Sequence, residues 1–206
     1  MAERGLGAGA VDAPARPAAR STVAVRDRIL AAGAELFARR GIRAVGVDAI
    51  VSRAGVAKAS FYHHFASKDD LIEAWLRSAD ARWLDDVIVA TERRTDDPEG
   101  RIFAFFEALS ELVRDPNFDG CPYLNTAAEL RDPDEGPRPA VLEFTAEVQA
   151  YLRKLAEAAG LRNPEVVAVQ LQLLTAGALS LSVAGRDPGP ALGEAVEAVI
   201  RAARPA

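Results

Sequence analysis

The sequence predicts an all-α protein of about nine helices, and three observations carry that prediction. Half of the 206 residues are hydrophobic but only 6% are aromatic, and Ala, Leu, Glu and Arg, all good helix formers, dominate. Apolar residues recur at three- and four-residue intervals along most of the chain, the spacing of a helix face. Gly41, Gly55 and Gly160 stand where such stretches stop, and Pro98, Pro122, Pro164 and Pro190 where they start.

Residues 1–21, MAERGLGAGAVDAPARPAARS, lack that spacing and read as a disordered tail. Gly, Asp, Pro and Arg interrupt every apolar run in it, so it lacks the apolar core of a secretory signal. Arg4, Arg16 and Arg20 read first as solvated cations, and as a DNA-contacting arm only in the alternative. From Val23 to Arg40, Val25, Ile29, Ala32, Leu36 and Phe37 form the apolar face of a scaffold helix that Gly41 ends.

The next stretch, GIRAVGVDAIVSRAGVAKASFYHHFASK, reads as helix, tight turn, helix. Val47, Ile50, Val51 and Ala54 share one face, Gly55 supplies the turn, and Val56, Phe61 and Phe65 continue the burial. The turn demands a residue that adopts positive φ without a Cβ clash. Phe37, Ile50 and Phe61 are the expected centre of the three-helix unit. The outward face of the second motif helix is left with Lys58, Ala59, Ser60, Tyr62 and His63, which suit phosphate oxygens and base edges in a major groove. Ser67 is the expected N-cap of the following helix with Asp70 as its capping-box partner, and Lys68 in its first turn is expected to meet phosphate. His63 and His64 are adjacent on one helix and point about 100° apart, which opposes joint metal chelation; no metal and no cofactor is expected.

Leu71 to Arg94 reads as one long helix, a rigid lever joining this unit to the rest of the chain. Further helices are expected at Pro98–Arg114, Pro122–Leu130 and Ala140–Ala159, then one capped by Asn163 and opened by Pro164, and a last one from Pro190 to about Ala203. The charge-free run Val166–Gly185 is long enough to raise a membrane span, but Gln170, Gln172, Thr175, Ser180 and Ser182 are spread around it. A helix packed on its own core and on a second subunit explains it better.

Charge is distributed unevenly. Residues 1–70 hold 11 Lys and Arg against 7 Asp and Glu, a net +4; residues 71–206 hold 14 against 23, a net −9, giving the overall −5. The basic front half is therefore the half expected to meet phosphates. One cysteine excludes an internal disulfide framework and fits a reducing cytoplasm. No HExxH, GxSxG or phosphate-loop pattern is present, so an enzyme is not expected.

Arg26 to Leu76, with AGV, FYHHF and SKDDL as its most specific pieces, resembles the DNA-binding segment of the TetR (tetracycline-repressor-like) family of bacterial regulators. Two positions depart from that pattern: Gly46 and Ala57 stand where the family commonly has hydroxyl caps. The resemblance implies a helix-turn-helix DNA-binding domain at 22–70 and a helical effector-binding and dimerisation domain at 71–206. It implies a cytoplasmic homodimer joined through the last two helices, binding a palindromic double-stranded DNA operator, acting as a repressor and released by a small-molecule inducer. Trp83, Phe103, Phe106, Cys121, Tyr123, Asn125 and Phe144 are the candidates for the effector pocket, although each taken singly reads first as ordinary core. Cys121 reads as a plain buried thiol before a redox sensor. The other readings are a helical protein-interaction module and a DNA-binding regulator without a small-molecule ligand.

Overall fold

The computed structural model describes residues 17–78, 81–130, 132 and 136–205, with side chains from residue 24 onward. Among the described residues it holds ten helices and no strand: α1 (Pro17–Arg40), α2 (Val47–Ala54), α3 (Lys58–His64), α4 (Lys68–Leu76), α5 (Trp83–Arg94), α6 (Pro98–Arg114), α7 (Pro122–Glu129), α8 (Arg138–Ala158), α9 (Pro164–Val183) and α10 (Gly189–Ala203). The all-α class is as the sequence predicts. The tail differs: α1 begins at Pro17, taking in residues 17–21, and a first-turn proline costs a helix nothing because its missing N–H has no intrahelical partner there. Arg4 and Arg16 lie outside the described residues.

The tenth helix arises because the expected lever is broken. α4 stops at Leu76, where Arg77 caps it. The Ser78 backbone N–H (2.9 Å) and hydroxyl (2.6 Å) both donate to the Trp75 carbonyl, tightening the chain out of the α-helical ladder. α5 then starts afresh at Trp83. No Gly or Pro marks this break, since the hydroxyl of a single serine helps make it.

α1 packs against α2, α3 and α4; α6 lies among α5, α8, α9 and α10; and α8 packs on α9. Phe37, Ile50 and Phe61 are buried at the centre of the front unit, as expected, and the Trp75 ring meets Phe37 at 5.5 Å. Gly55 adopts the left-handed conformation (φ 64°), and the capping box forms, with Ser67 Oγ accepting from the Asp70 N–H and the Asp70 carboxylate from the Ser67 N–H. Gly46 and Ala57 supply no side-chain cap. Asn163 stands at the N-cap of α9 but its side chain makes no cap bond; it takes positive φ (53°), and its carbonyl accepts from Val166 and Val167 instead.

Candidate nucleic-acid interface and effector cleft

α3 buries Phe61 completely and turns Lys58, Ala59, Tyr62 and His63 outward, with Ser60 half-buried beside them. Tyr62 is 51% exposed, and its ring lies edge-on to Phe61 at 5.2 Å, which aims the phenol away from the core. The Lys58 ammonium pairs with Asp48 on α2 at 2.7 Å, and that hydrogen bond raises its pKa above the ordinary lysine value. Both partners are well exposed, so the pair is weak and open to exchange. The His63 and His64 rings sit 5.0 Å apart and nearly perpendicular.

Lys68 is bonded within the chain. Its ammonium reaches back to the carbonyls of Ile42 (2.9 Å) and Val45 (3.2 Å). Those carbonyls belong to the α1–α2 loop, outside the helical ladders, and a lysine in the first turn of α4 lies beside them. It ties the loop to α4. Arg28, which no spacing in the sequence singles out, does the same for the motif turn: its guanidinium donates to the Ala54 (2.5 Å) and Gly55 (2.8 Å) carbonyls, closing the C-terminal end of α2.

Behind this unit, a small, partly open cleft lies between α5, α7, α8 and α9. Of the seven residues grouped from the sequence, Trp83, Cys121, Tyr123 and Phe144 line it, and so do Thr145, Gln172 and Thr175. Tyr123 and Phe144 stack face to face with centroids 3.7 Å apart, and Trp83 meets Phe144 edge-on at 5.6 Å. Burial pushes the Tyr123 phenol up to about 12, which keeps it a neutral donor, and it donates to the Leu76 carbonyl at the end of α4. Burial also pushes the Cys121 thiol up; its Sγ accepts from the Trp83 indole N–H at 3.3 Å. Both features fit a plain buried thiol.

Known proteins share both halves. A family model described as bacterial regulatory proteins of the tetR family matches residues 29–75, and one for the tetracyclin repressor-like C-terminal domain matches residues 98–199. The crystal structure of a TetR-family transcriptional regulator from Streptomyces coelicolor superposes with a TM-score of 0.79 at 30% identity, over 88% of this chain and 96% of that one. The chain belongs to the TetR family. The reduced form of Escherichia coli NemR is similar with a TM-score of 0.72 at 26% identity, covering 87% of this chain and 97% of NemR. Among curated relatives, the transcriptional repressor KstR2 of Mycobacterium tuberculosis is 36% identical over 88 residues, 41% of this chain and 44% of KstR2, so the match spans less than half of that relative's length.

Within this TetR-family chain, the expected pocket residues do not all meet. Phe103 and Phe106 line a separate groove between α6 and α10, beside Glu107, Glu111 and Arg114. Helical periodicity marks both as inward-facing without saying which neighbour they face. Asn125 lies across α7 from the cleft, near Gly120 and the Asp119 carbonyl.

α7 also reaches the front unit by its other end, a contact the sequence did not reveal. The Glu129 carboxylate accepts from the backbone N–H groups of Ile42 (3.0 Å) and Arg43 (2.8 Å), and its carbonyl accepts from Arg43 Nε (2.5 Å). Gly41 makes room: it has φ +78°, and a Cβ there would collide with Glu129 Oε1. Glu129→Gln replaces one acceptor by a donor that faces an N–H, and should destabilise the fold by about 1–2 kcal/mol. Thermal melting and hydrogen exchange at Ile42 and Arg43 check this; unchanged protection of both amides would mean the clasp does not form in solution.

α9 presents an apolar outer stripe of Val166, Val169, Leu173 and Leu181, with Gly177 among them. Among the described residues it is the one helix long and apolar enough to cross a membrane. Beside it, α10 turns out the small side chains of Ala191, Ala198 and Ala202.

Proposed function

We propose that the chain is a cytoplasmic DNA-binding transcriptional repressor that acts as a homodimer on a palindromic operator and is released by a small molecule bound in the α5–α7–α8–α9 cleft. The observation that carries the DNA reading is α3: a short helix anchored by the buried Phe61 with Lys58, Ala59, Tyr62 and His63 turned to solvent. Lys58, Tyr62 and His63 position phosphates. Ser60 reads base edges, with Ala59 beside a thymine methyl. Lys68 holds the loop rather than the DNA. One such helix discriminates too few bases, so two copies related by a two-fold axis read successive major grooves. The apolar stripe of α9 and the alanine stripe of α10 make the self-complementary face that joins them.

Release follows from linkage. An effector that favours a different separation of the two α3 helices weakens DNA binding by the factor by which DNA weakens effector binding, and a 10- to 100-fold shift needs about 1.4–2.8 kcal/mol. With α4 and α5 separated, the route runs through α7, which touches the cleft at Tyr123, the end of α4 through the Tyr123 hydroxyl, and the α1–α2 loop through Glu129.

The test is selection of genomic fragments by the purified protein, then titration of a selected duplex across salt concentrations. Affinity should fall steeply with salt. In Lys58→Ala it should drop several-fold, with the salt slope shallower by about 1 per subunit. Asp48→Asn, which frees the Lys58 ammonium, should tighten binding. Equal affinity for any polyanion, or a Lys58→Ala slope identical to wild type, would rule out this use of α3.

A further inference from the structure

The chemistry of the cleft assigns a ligand class to it. Among the described residues that line it, none carries a charge. The nearby Arg82 guanidinium, 5.9 Å from the Phe144 ring centre, is held by Asp85 and Glu147, each at 2.8 Å. The strong donors of the lining are also engaged, the weak Cys121 S–H aside. The Trp83 indole donates to Cys121 and the Tyr123 hydroxyl to Leu76. Thr145 Oγ1 donates to the Val141 carbonyl at 2.8 Å, and Thr175 Oγ1 to the Leu171 carbonyl at 3.0 Å. Gln172 is the exception: one amide N–H donates to the Thr145 carbonyl at 3.0 Å, leaving its second N–H and its carbonyl oxygen unspent. A carboxylate or phosphate entering here would lose water and gain almost no donors, and an ammonium would find no counter-charge; either loss is costly. Aromatic surface from Trp83 and Phe144 is what the cleft offers instead.

We infer that the cleft takes an uncharged, mainly hydrocarbon molecule of modest size, packed beside Trp83 and Phe144, with a single hydroxyl or carbonyl directed at Gln172. This rests on the cleft being the effector site of the proposed regulator, and it adds what that effector is made of.

Three isosteric or near-isosteric compounds test it on the full-length protein: 2-naphthol, naphthalene and 2-naphthoate, titrated by calorimetry at neutral pH. 2-Naphthol should bind at least tenfold more tightly than 2-naphthoate. Gln172→Leu should weaken 2-naphthol several-fold and leave naphthalene unchanged, a split that loss of general packing would not give. Ala176→Leu, which places extra carbon in the cleft from α9, should lower the affinity for both neutral compounds at least tenfold with its melting temperature retained; should that variant not fold, the comparison of the three compounds on the wild-type protein decides. Equal binding of 2-naphthoate, no binding of either neutral compound up to its solubility limit, or wild-type affinity in folded Ala176→Leu would each overturn the assignment. If 2-naphthol fills the cleft without shifting operator affinity, the effector role falls and the ligand chemistry stands.

Discussion

Phe61→Ala is expected to cost about 3–5 kcal/mol, the range for removing a large aromatic from a closed core. Phe61 is fully buried, with Phe65 at 5.9 Å and Tyr62 at 5.2 Å between ring centres. The unit formed by α1 to α4 is too small to close such a cavity by moving its neighbours. Because a typical domain is stable by only about 5–15 kcal/mol, the loss should appear first as opening of α2 and α3. Urea denaturation at fixed protein concentration, with hydrogen exchange over residues 24–78, measures both quantities. A loss under about 1 kcal/mol with unchanged exchange in α3 would show that Phe61 does not anchor the helix.

Leu173→Arg is expected to leave a folded monomer. Leu173 is 68% exposed at the middle of the outer stripe of α9, and at a two-fold face each substitution appears twice, so like charges are brought toward each other without partners. An unpaired charge at such an interface costs about 2–5 kcal/mol. Light scattering at micromolar concentration should report one chain instead of two. Operator affinity should fall about 10²–10⁴-fold, the gain normally obtained by tethering two binding units. A dimer that survives Leu173→Arg would place the joint elsewhere.

The parts legible from sequence were those decided locally. Gly55, the α2 spacing, the Ser67–Asp70 box and the inward position of Phe61 each depend on residues within a few positions of one another, and each is found as read. The parts that escaped depend on contacts across the chain. Arg28 closes a turn 26 residues away, Glu129 grips amides 86 and 87 residues away, and Lys68 reaches back 23 and 26 residues. None of these partners shares a periodicity. The pocket residues show the same limit: Trp83, Cys121, Tyr123 and Phe144 converge, whereas Phe103 and Phe106 sit on an apolar helix whose different faces meet different neighbours. Ser78, an ordinary polar residue in sequence, helps end α4 through its two bonds to Trp75.

Gly41 and Glu129 form a matched lock between halves that domain exchange would pull apart. Grafting residues 1–78 onto the rear half of a relative with another residue at the Glu129 position would leave two loop amides bare and a vacant space beside Gly41. The reverse graft, onto a front half with a Cβ at the Gly41 position, would drive that atom into the carboxylate. Hybrid regulators made from this chain should therefore carry both residues or neither.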